Sequence, residues 1–195
     1  MKRRTLDLTL ATLGAVMAVV LVAAGGLLLY AANFTNTTIS DQLTAQKIAF
    51  PPASALPASE YGENVAQYAG QPVTTGAQAK AYSDMIAVHL KGVANGKTYS
   101  EVSNAWIASN TDPTKRDPAL GAARQTLFMG ETLRGLLLNV YAFSIFGLIA
   151  QIAGWVALIG AVALVVLSIA GFYHAGKVNR QQLVGAPAVE TIPVS

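Results

Sequence analysis

The chain contains two long apolar runs separated by a mostly polar middle segment. Residues 8–32 carry no charged side chain, and residues 135–173 contain no Asp, Glu, Lys, Arg, His or Pro. A transmembrane helix needs about 20 predominantly apolar residues to cross about 30 Å of hydrocarbon. Both runs meet that requirement, and we predict membrane spans at residues 8–32 and 151–173.

The second run is longer than one crossing requires. As a single helix it would measure about 58 Å, yet it lacks a turn signal that would divide it into two spans. Tyr173, His174 and Lys177 mark its inner end, and counting back about 20 residues places the outer boundary near Gln151–Trp155. Residues 136–150 are therefore expected to form an apolar wall outside the bilayer.

The middle of the chain predicts further helices. Apolar positions recur with a helical period between residues 77 and 93, and Asn95-Gly96 follows as a turn signal. Thr98 and Glu101 have the spacing of a capping box, which predicts a helix start. Proline and glycine predict extended chain in residues 47–57 and loop or short strand in residues 61–76. The predicted helices are residues 33–46, 77–93, 98–109 and 119–150.

These elements define the expected fold class and topology. We predict an all-α membrane protein whose two transmembrane helices extend outward into a small extracytoplasmic helical bundle at residues 33–150. Lys2, Arg3 and Arg4 precede the first span, and basic tails beside apolar helices are typical of the cytoplasmic side. Residues 1–7 and 174–195 are then cytoplasmic tails of a multi-pass plasma (inner) membrane protein. The first run is too long for the apolar core of a cleaved signal peptide.

Charge and cysteine content exclude several classes of function. The formal net charge is +3, but residues 33–134 are balanced and the excess lies in the tails, so nucleic-acid binding is not indicated. The chain has no cysteine, which excludes disulfides, thiolate metal sites and a cysteine nucleophile. The expected partners are the lipid bilayer and a larger integral membrane protein complex.

No set of residues predicts catalysis. The two histidines, His89 and His174, would lie on opposite sides of the bilayer, so they cannot share a metal or haem. Ser83 is six residues before His89 and would lie on another helix face. Residues 92–98 end like a phosphate-binding loop but lack its first glycine and its preceding strand. We therefore predict no catalytic, metal-binding or cofactor-binding residues, no cofactor, and no enzyme activity.

The second apolar run carries the candidate interaction residues. Small residues spaced four apart allow helices to approach closely, and they occur in both runs, as at Gly14 and Ala18. They serve either packing between the two spans or docking onto another membrane protein. The candidate partner-facing residues are Tyr141, Phe143, Phe146, Ala150, Gly154, Ala157 and Ala161.

Several short motifs from Gln42 onward occur in a recognisable order. They are Gln42-Leu43, Ala45, Lys47-Ile48, Tyr68-Ala69-Gly70, Val73, Gln78-Ala79, His89-Leu90, Asn95-Gly96-Lys97-Thr98-Tyr99-Ser100-Glu101, Arg124, Thr126, Gly130 and Leu133-Arg134. This order resembles a family of actinobacterial two-span envelope proteins of unknown function, some of which are named aromatic ring-opening dioxygenase subunits. The separated histidines argue against that activity. The architecture also resembles, more loosely, accessory subunits of actinobacterial respiratory cytochrome supercomplexes.

Two functions remain open from the sequence. The first is a non-enzymatic accessory or scaffold subunit of a larger membrane complex, for which the resemblance suggests a respiratory cytochrome supercomplex. The second is a stand-alone envelope module that holds a lipid, quinone or cell-wall ligand between Tyr82, Tyr99, Trp106 and Tyr141. The two functions differ in what covers the apolar wall at residues 136–150.

Overall fold

A computed structural model describes the backbone of residues 3–184 and the side chains of residues 4–177. The described chain forms six α-helices and two single turns of 3₁₀ helix, with no strand beyond one isolated bridge between Ala49 and Pro72. The prediction of an all-helical protein is therefore confirmed for the described residues. The helices are α1 (Arg3–Ala45), α2 (Ala58–Tyr61), α3 (Glu63–Ala66), α4 (Gly76–Val93), α5 (Tyr99–Ala108) and α6 (Pro118–Val184).

Two of these helices are long and apolar enough to cross a membrane. Helix α1 has 43 residues and α6 has 67. Only 11 % and 17 % of their most apolar stretches are buried within the chain, unlike the core helix of a soluble protein. The prediction of one continuous helix through the second apolar run is confirmed. It extends beyond Tyr173 as far as Val184, and the remainder of the predicted C-terminal tail, residues 185–195, lies outside the described residues.

The start of α6 follows directly from its sequence. Pro118 occupies the first helical position, where its fixed φ fits and its missing N–H removes no helical hydrogen bond. The carboxylate of Asp117 accepts hydrogen bonds from the backbone N–H groups of Ala119 and Leu120, at 2.8 and 3.3 Å. This cap satisfies two of the four N–H groups that lack a partner at a helix start.

The chain divides into two compact units. The first contains the residues up to Ala31 and those from Ala150 onward, and the second contains Ala32–Ile149. Both long helices contribute to each unit.

In the first unit, α1 and α6 pack antiparallel along a line of small residues. A Cβ placed on Gly171 would lie 3.1 Å from the Cβ of Ala11, and one on Gly25 would lie 3.0 Å from the carbonyl oxygen of Gly154. Small residues recur every seventh position on both helices, a period that keeps one seam against a partner helix. The buried seam residues are Ala11, Ala18 and Gly25 on α1, and Gly154, Ala161, Ser168 and Ala175 on α6.

In the second unit, α4 and α5 both pack against α6. Gly76 at the start of α4 lies beside Ser144 of α6, and Leu90 near the end of α4 lies beside Gly130 of α6. Two apolar clusters form the core, one joining α1, α4 and α6 with the loops, the other joining α4, α5 and α6. The buried members are Ile39, Leu43, Phe50, Leu56, Val65, Val73, Ala79, Ala81 and Leu137 in the first cluster, and Leu90, Ala94, Val102 and Leu127 in the second.

The predicted helical hairpin is confirmed, whereas the connecting segment is more helical than expected. Thr98 and Glu101 form the predicted capping box, and the turn before it places Asn95 and Gly96 at positive φ. The segment before α4 was expected to be extended or looped, but it contains the single helical turns α2 and α3. Val65 of α3 and Leu56, which follows the first 3₁₀ turn, are buried in the core, so tertiary packing outweighs the local proline and glycine signals.

Candidate functional site

The second unit exposes an apolar face on α6. Leu136, Phe143 and Phe146 are 60 %, 61 % and 64 % exposed, although each is large and apolar. The two phenylalanine rings pack edge to face, with their centroids 6.3 Å apart. Contiguous exposed apolar surface marks an interaction site more often than isolated residues do. We call Leu136, Phe143 and Phe146 the α6 apolar face.

The α4 side of the same helix is covered by the chain itself. Gly76 packs on Tyr141 and Ser144, and no side chain larger than hydrogen fits there. Farther along, Arg134 Nε donates to the carbonyl oxygen of Ser83 at 3.2 Å. Tyr141 is therefore half-buried beside α4, while the candidates Phe143 and Phe146 remain exposed.

A shallow groove adjoins the α6 apolar face. It has a volume of about 450 Å³ and lies between the end of α1, the following residues and α6. Its walls are mainly apolar, with three amide side chains, Gln42, Gln46 and Asn139, among them. Phe143 and Leu136 line the groove, which continues the exposed apolar surface.

The small-residue candidates lie in the first unit. Gly154 and Ala161 are buried, and a Cβ on Gly154 would lie 2.8 Å from Leu29 and 3.1 Å from the carbonyl oxygen of Gly25. These two positions therefore pack the two long helices together and are not reachable by a partner. Ala150 and Ala157 are half-buried.

One seam residue leaves a polar group unsatisfied. The hydroxyl of Ser168 is buried and has no hydrogen-bond partner in the described part of the chain. A Cβ placed on Gly14 would lie 2.6 Å from that oxygen. Glycine at position 14 therefore leaves the space that the serine side chain occupies.

The four aromatic residues proposed to hold a ligand do not converge. Tyr82 packs on Phe50 with ring centroids 5.2 Å apart, and Tyr99 packs on Phe128 at 5.9 Å. Trp106 lies against two arginines, and Tyr141 lies beside the start of α4. Each ring has a different neighbour, so this set does not form one binding site.

A wider cavity lies beside the start of α5. It measures about 640 Å³, and Lys91, Lys97 and Arg134 line it together with Tyr99 and Glu131. Arg134 is paired with Glu131 at 2.7 Å. Lys91 and Lys97 form no ion pair within 4.0 Å among the described residues, so this cavity is a basic groove with an open mouth.

Glu101 forms part of the cap at the start of α5, beside that cavity. Its carboxylate accepts hydrogen bonds from the backbone N–H and the hydroxyl of Thr98, at 2.7 and 2.8 Å. The backbone bond, then the hydroxyl bond, and then the charge of Lys97 hold the pKa of Glu101 below its ordinary value. The carboxylate is therefore engaged in capping.

The sequence analysis did not predict the cluster of two arginines and a tryptophan at the far end of α5. The guanidinium carbons of Arg116 and Arg124 lie 4.6 and 4.2 Å from the ring centroid of Trp106. Arg116 precedes α6 and Arg124 lies on it, so no periodicity links the three residues. Both distances are within the range of a cation–π interaction.

The two histidines have different surroundings. Nδ1 of His174 lies 3.0 Å from a carboxylate oxygen of Asp7, which joins the end of the α6 apolar run to the start of α1 within the first unit. His89 is exposed on α4. Across the described residues, no group of three His, Asp or Glu side chains is arranged to hold a metal ion.

Comparisons with known proteins return no match: no family model, no curated protein and no solved structure is similar to this chain.

Proposed function

We propose that this protein is a non-enzymatic accessory or scaffold subunit that associates with a larger integral membrane protein complex. In the proposed topology, α1 and α6 cross the plasma membrane with both termini in the cytoplasm. The second unit then lies outside the cytoplasm. Basic residues at the start of α1 support this orientation.

The observation that carries the proposal is the α6 apolar face. Phe143 and Phe146 remain more than half exposed beside an apolar groove, whereas α4 covers another side of the same helix. Exposing such residues to water is unfavourable by about 25 cal/mol per Å². Aromatic residues of this kind are the usual anchors of protein interfaces.

The partner complex is proposed from the resemblance of architecture. Two spans with a small external helical unit resemble the accessory subunits of respiratory cytochrome supercomplexes. A respiratory complex is therefore the first candidate partner. The bilayer would supply the second contact, through the exposed sides of both apolar helices.

Co-purification tests the proposal. The full chain is extracted with its native lipids into nanodiscs, and stoichiometric partners are identified by mass spectrometry. Phe143→Ser/Phe146→Ser should lose those partners. Phe34→Ser is the matched control, because Phe34 is also 61 % exposed but lies on α1. A wild-type protein that purifies alone, or equal loss with the control, would refute an interface at the α6 apolar face.

The alternative function, a stand-alone module that binds a lipid, quinone or cell-wall fragment, retains one supporting observation. The groove beside Phe143 is apolar and has amide groups from Gln42 and Asn139 that could orient a polar head. Mass spectrometry of the same nanodiscs distinguishes the two functions. A stoichiometric small molecule without a protein partner would favour the alternative.

A further inference from the structure

Arg116 and Arg124 lie against the ring of Trp106, and all three side chains carry hydrogen-bond donors and no acceptor. Because the Arg116 and Arg124 guanidinium carbons lie 4.6 and 4.2 Å from one indole centroid, the two charges are within about 9 Å of each other. Like charges at that separation repel each other, and a bound anion would relieve the repulsion. The indole has a donor, Nε1, and no acceptor.

The nearby carboxylates are already engaged. Asp112 accepts from the backbone N–H and hydroxyl of Thr114 and pairs with Lys115 at 3.5 Å. Asp117 caps the start of α6. Within the described part of the chain, neither arginine of the cluster has a carboxylate within ion-pair distance.

The cation–π contacts do not use the N–H donors of the arginines as hydrogen bonds do. A guanidinium group has five N–H donors, which lie in its plane. Arg116 uses Nε to donate to the carbonyl oxygen of Asn110 at 3.2 Å. The terminal nitrogens of Arg116 and those of Arg124 have no acceptor among the described residues. Those in-plane donors match the spacing of oxygens in a phosphate group.

The position of Trp106 is fixed by its packing on α6. A Cβ at Gly121 would lie 3.1 Å from the indole Nε1, so the ring approaches the helix closely. Arg124 is three residues later on the same helix, and the side chains of residues 121 and 124 share a face. The ring therefore holds both guanidinium groups in place before any ligand arrives.

We propose that Arg116, Trp106 and Arg124 form a binding site for a phosphate group, whose oxygens accept hydrogen bonds from the guanidinium groups. The phosphate belongs to a water-soluble molecule, because about 40 Å of helix α6 separates Arg124 from the proposed outer membrane boundary near Gln151. The site lies on α5, the loop before α6 and the first turns of α6, apart from the α6 apolar face. Its failure would leave the proposed accessory function untouched.

Fluorescence of Trp106 provides the readout. The chain has two tryptophans, Trp106 and Trp155, so a Trp155→Phe background leaves one emitter. The full chain in phosphate-free maltoside micelles is titrated with inorganic phosphate, and sodium chloride of equal ionic strength is the reference. We expect a saturable change in emission with phosphate only. The second arm transfers the protein, without added phosphate, into phosphatidylglycerol nanodiscs, where we expect no change; the same change there would overturn the assignment to a water-soluble ligand.

Three variants test the assignment. Arg124→Gln should weaken phosphate binding roughly tenfold, because one charge-assisted set of hydrogen bonds is lost. Arg124→Lys should also weaken it, since lysine keeps the charge but loses the planar fork. Lys91→Gln removes an exposed cation on α4, which forms no ion pair with any described residue, and this variant should bind phosphate like the parent.

The outcome is decisive in either direction. Unchanged helical circular dichroism in the variants shows that they remain folded. No saturable change with phosphate, or equal weakening by Lys91→Gln, would overturn the proposal.

Discussion

Gly25 on α1 and Gly154 on α6 face each other so closely that neither position has room for a side chain. A Cβ on Gly25 would lie 3.0 Å from the carbonyl oxygen of Gly154, and a Cβ on Gly154 would lie 3.1 Å from that of Gly25. Because both neighbours are backbone atoms, they cannot rotate away. The two long helices are therefore held at this distance by the absence of side chains, as is typical of small-residue seams in membranes.

Substitution at this contact should separate the helices. Gly25→Leu places a large side chain against backbone and Leu158, and we expect a loss of at least about 1 kcal/mol in the free energy of unfolding. Gly26→Leu is the matched control, because nothing lies within 4 Å of a Cβ at that position. Both variants are unfolded in micelles by adding a denaturing detergent, and circular dichroism measures the loss of helix. Equal stability of the two variants would contradict the seam.

The antiparallel register predicts a specific cross-link. The chain has no cysteine, so no native thiol competes with an introduced pair. A Cβ at Gly171 would lie 3.1 Å from that of Ala11, slightly below the 3.5–4.5 Å usual in disulfides. We expect Ala11→Cys/Gly171→Cys to form an intramolecular disulfide on mild oxidation.

Gel mobility with and without reductant provides the measurement for that pair. Ala11→Cys/Gly176→Cys serves as control, because a Cβ at Gly176 has no neighbour within 4 Å. Cross-linking of the control pair at the same rate would show that the helices do not hold this register.

Two glycines five residues apart on α6 should respond oppositely to alanine. Gly135 has open space around it, so Gly135→Ala should raise stability by up to about 1 kcal/mol through helix propensity. At Gly130 a Cβ would lie 2.6 Å from the buried side chain of Leu90. Overpacking there should offset the gain and leave Gly130→Ala less stable than Gly135→Ala by about 1 kcal/mol or more. Thermal unfolding of both variants gives the comparison.

The capping box on α5 predicts a dependence on pH. Thr98 lowers the pKa of Glu101 from its ordinary 4.5 in the folded protein. A carboxylate with a depressed folded pKa stabilises fully above its unfolded pKa, and that contribution is lost as pH falls through the folded pKa. Stability should therefore decline below about pH 4.5.

Two substitutions isolate the contribution of that cap. Glu101→Gln should lessen the acid-dependent loss, since glutamine does not titrate. Thr98→Ala should cost about 1 kcal/mol at neutral pH. An acid response of the Glu101→Gln protein identical to that of the wild type would assign the pH dependence to other groups.

The sequence predicted the helices well because their signals are local. The apolar runs, the Asn95-Gly96 turn and the Thr98–Glu101 cap each depend on neighbouring residues. The cap of α4, formed by Thr75 and Gln78, has the same spacing and was not predicted. The seven-residue recurrence of small residues is also present in the sequence, but the prediction considered only small residues spaced four apart.

Other features could not be derived from sequence patterns. The Arg116–Trp106–Arg124 cluster joins a helix end, a loop and another helix, and only the fold brings them together. The pairing of Asp7 with His174 links residues 167 positions apart. Whether Phe143 or Tyr141 faces α4 depends on the rotation of α6, which its nearly uniform apolar composition does not specify.

Photo-crosslinking in native membranes tests the accessory-subunit proposal most directly. Benzoylphenylalanine replaces Phe143, and in a second protein it replaces Tyr82, which packs on Phe50 within its own unit. We expect irradiation to join the protein with the probe at position 143 to one discrete membrane-protein partner, and the probe at position 82 to capture none. If the probe at position 143 captures only lipid, or no other protein, the proposal that a partner subunit covers the α6 apolar face is wrong.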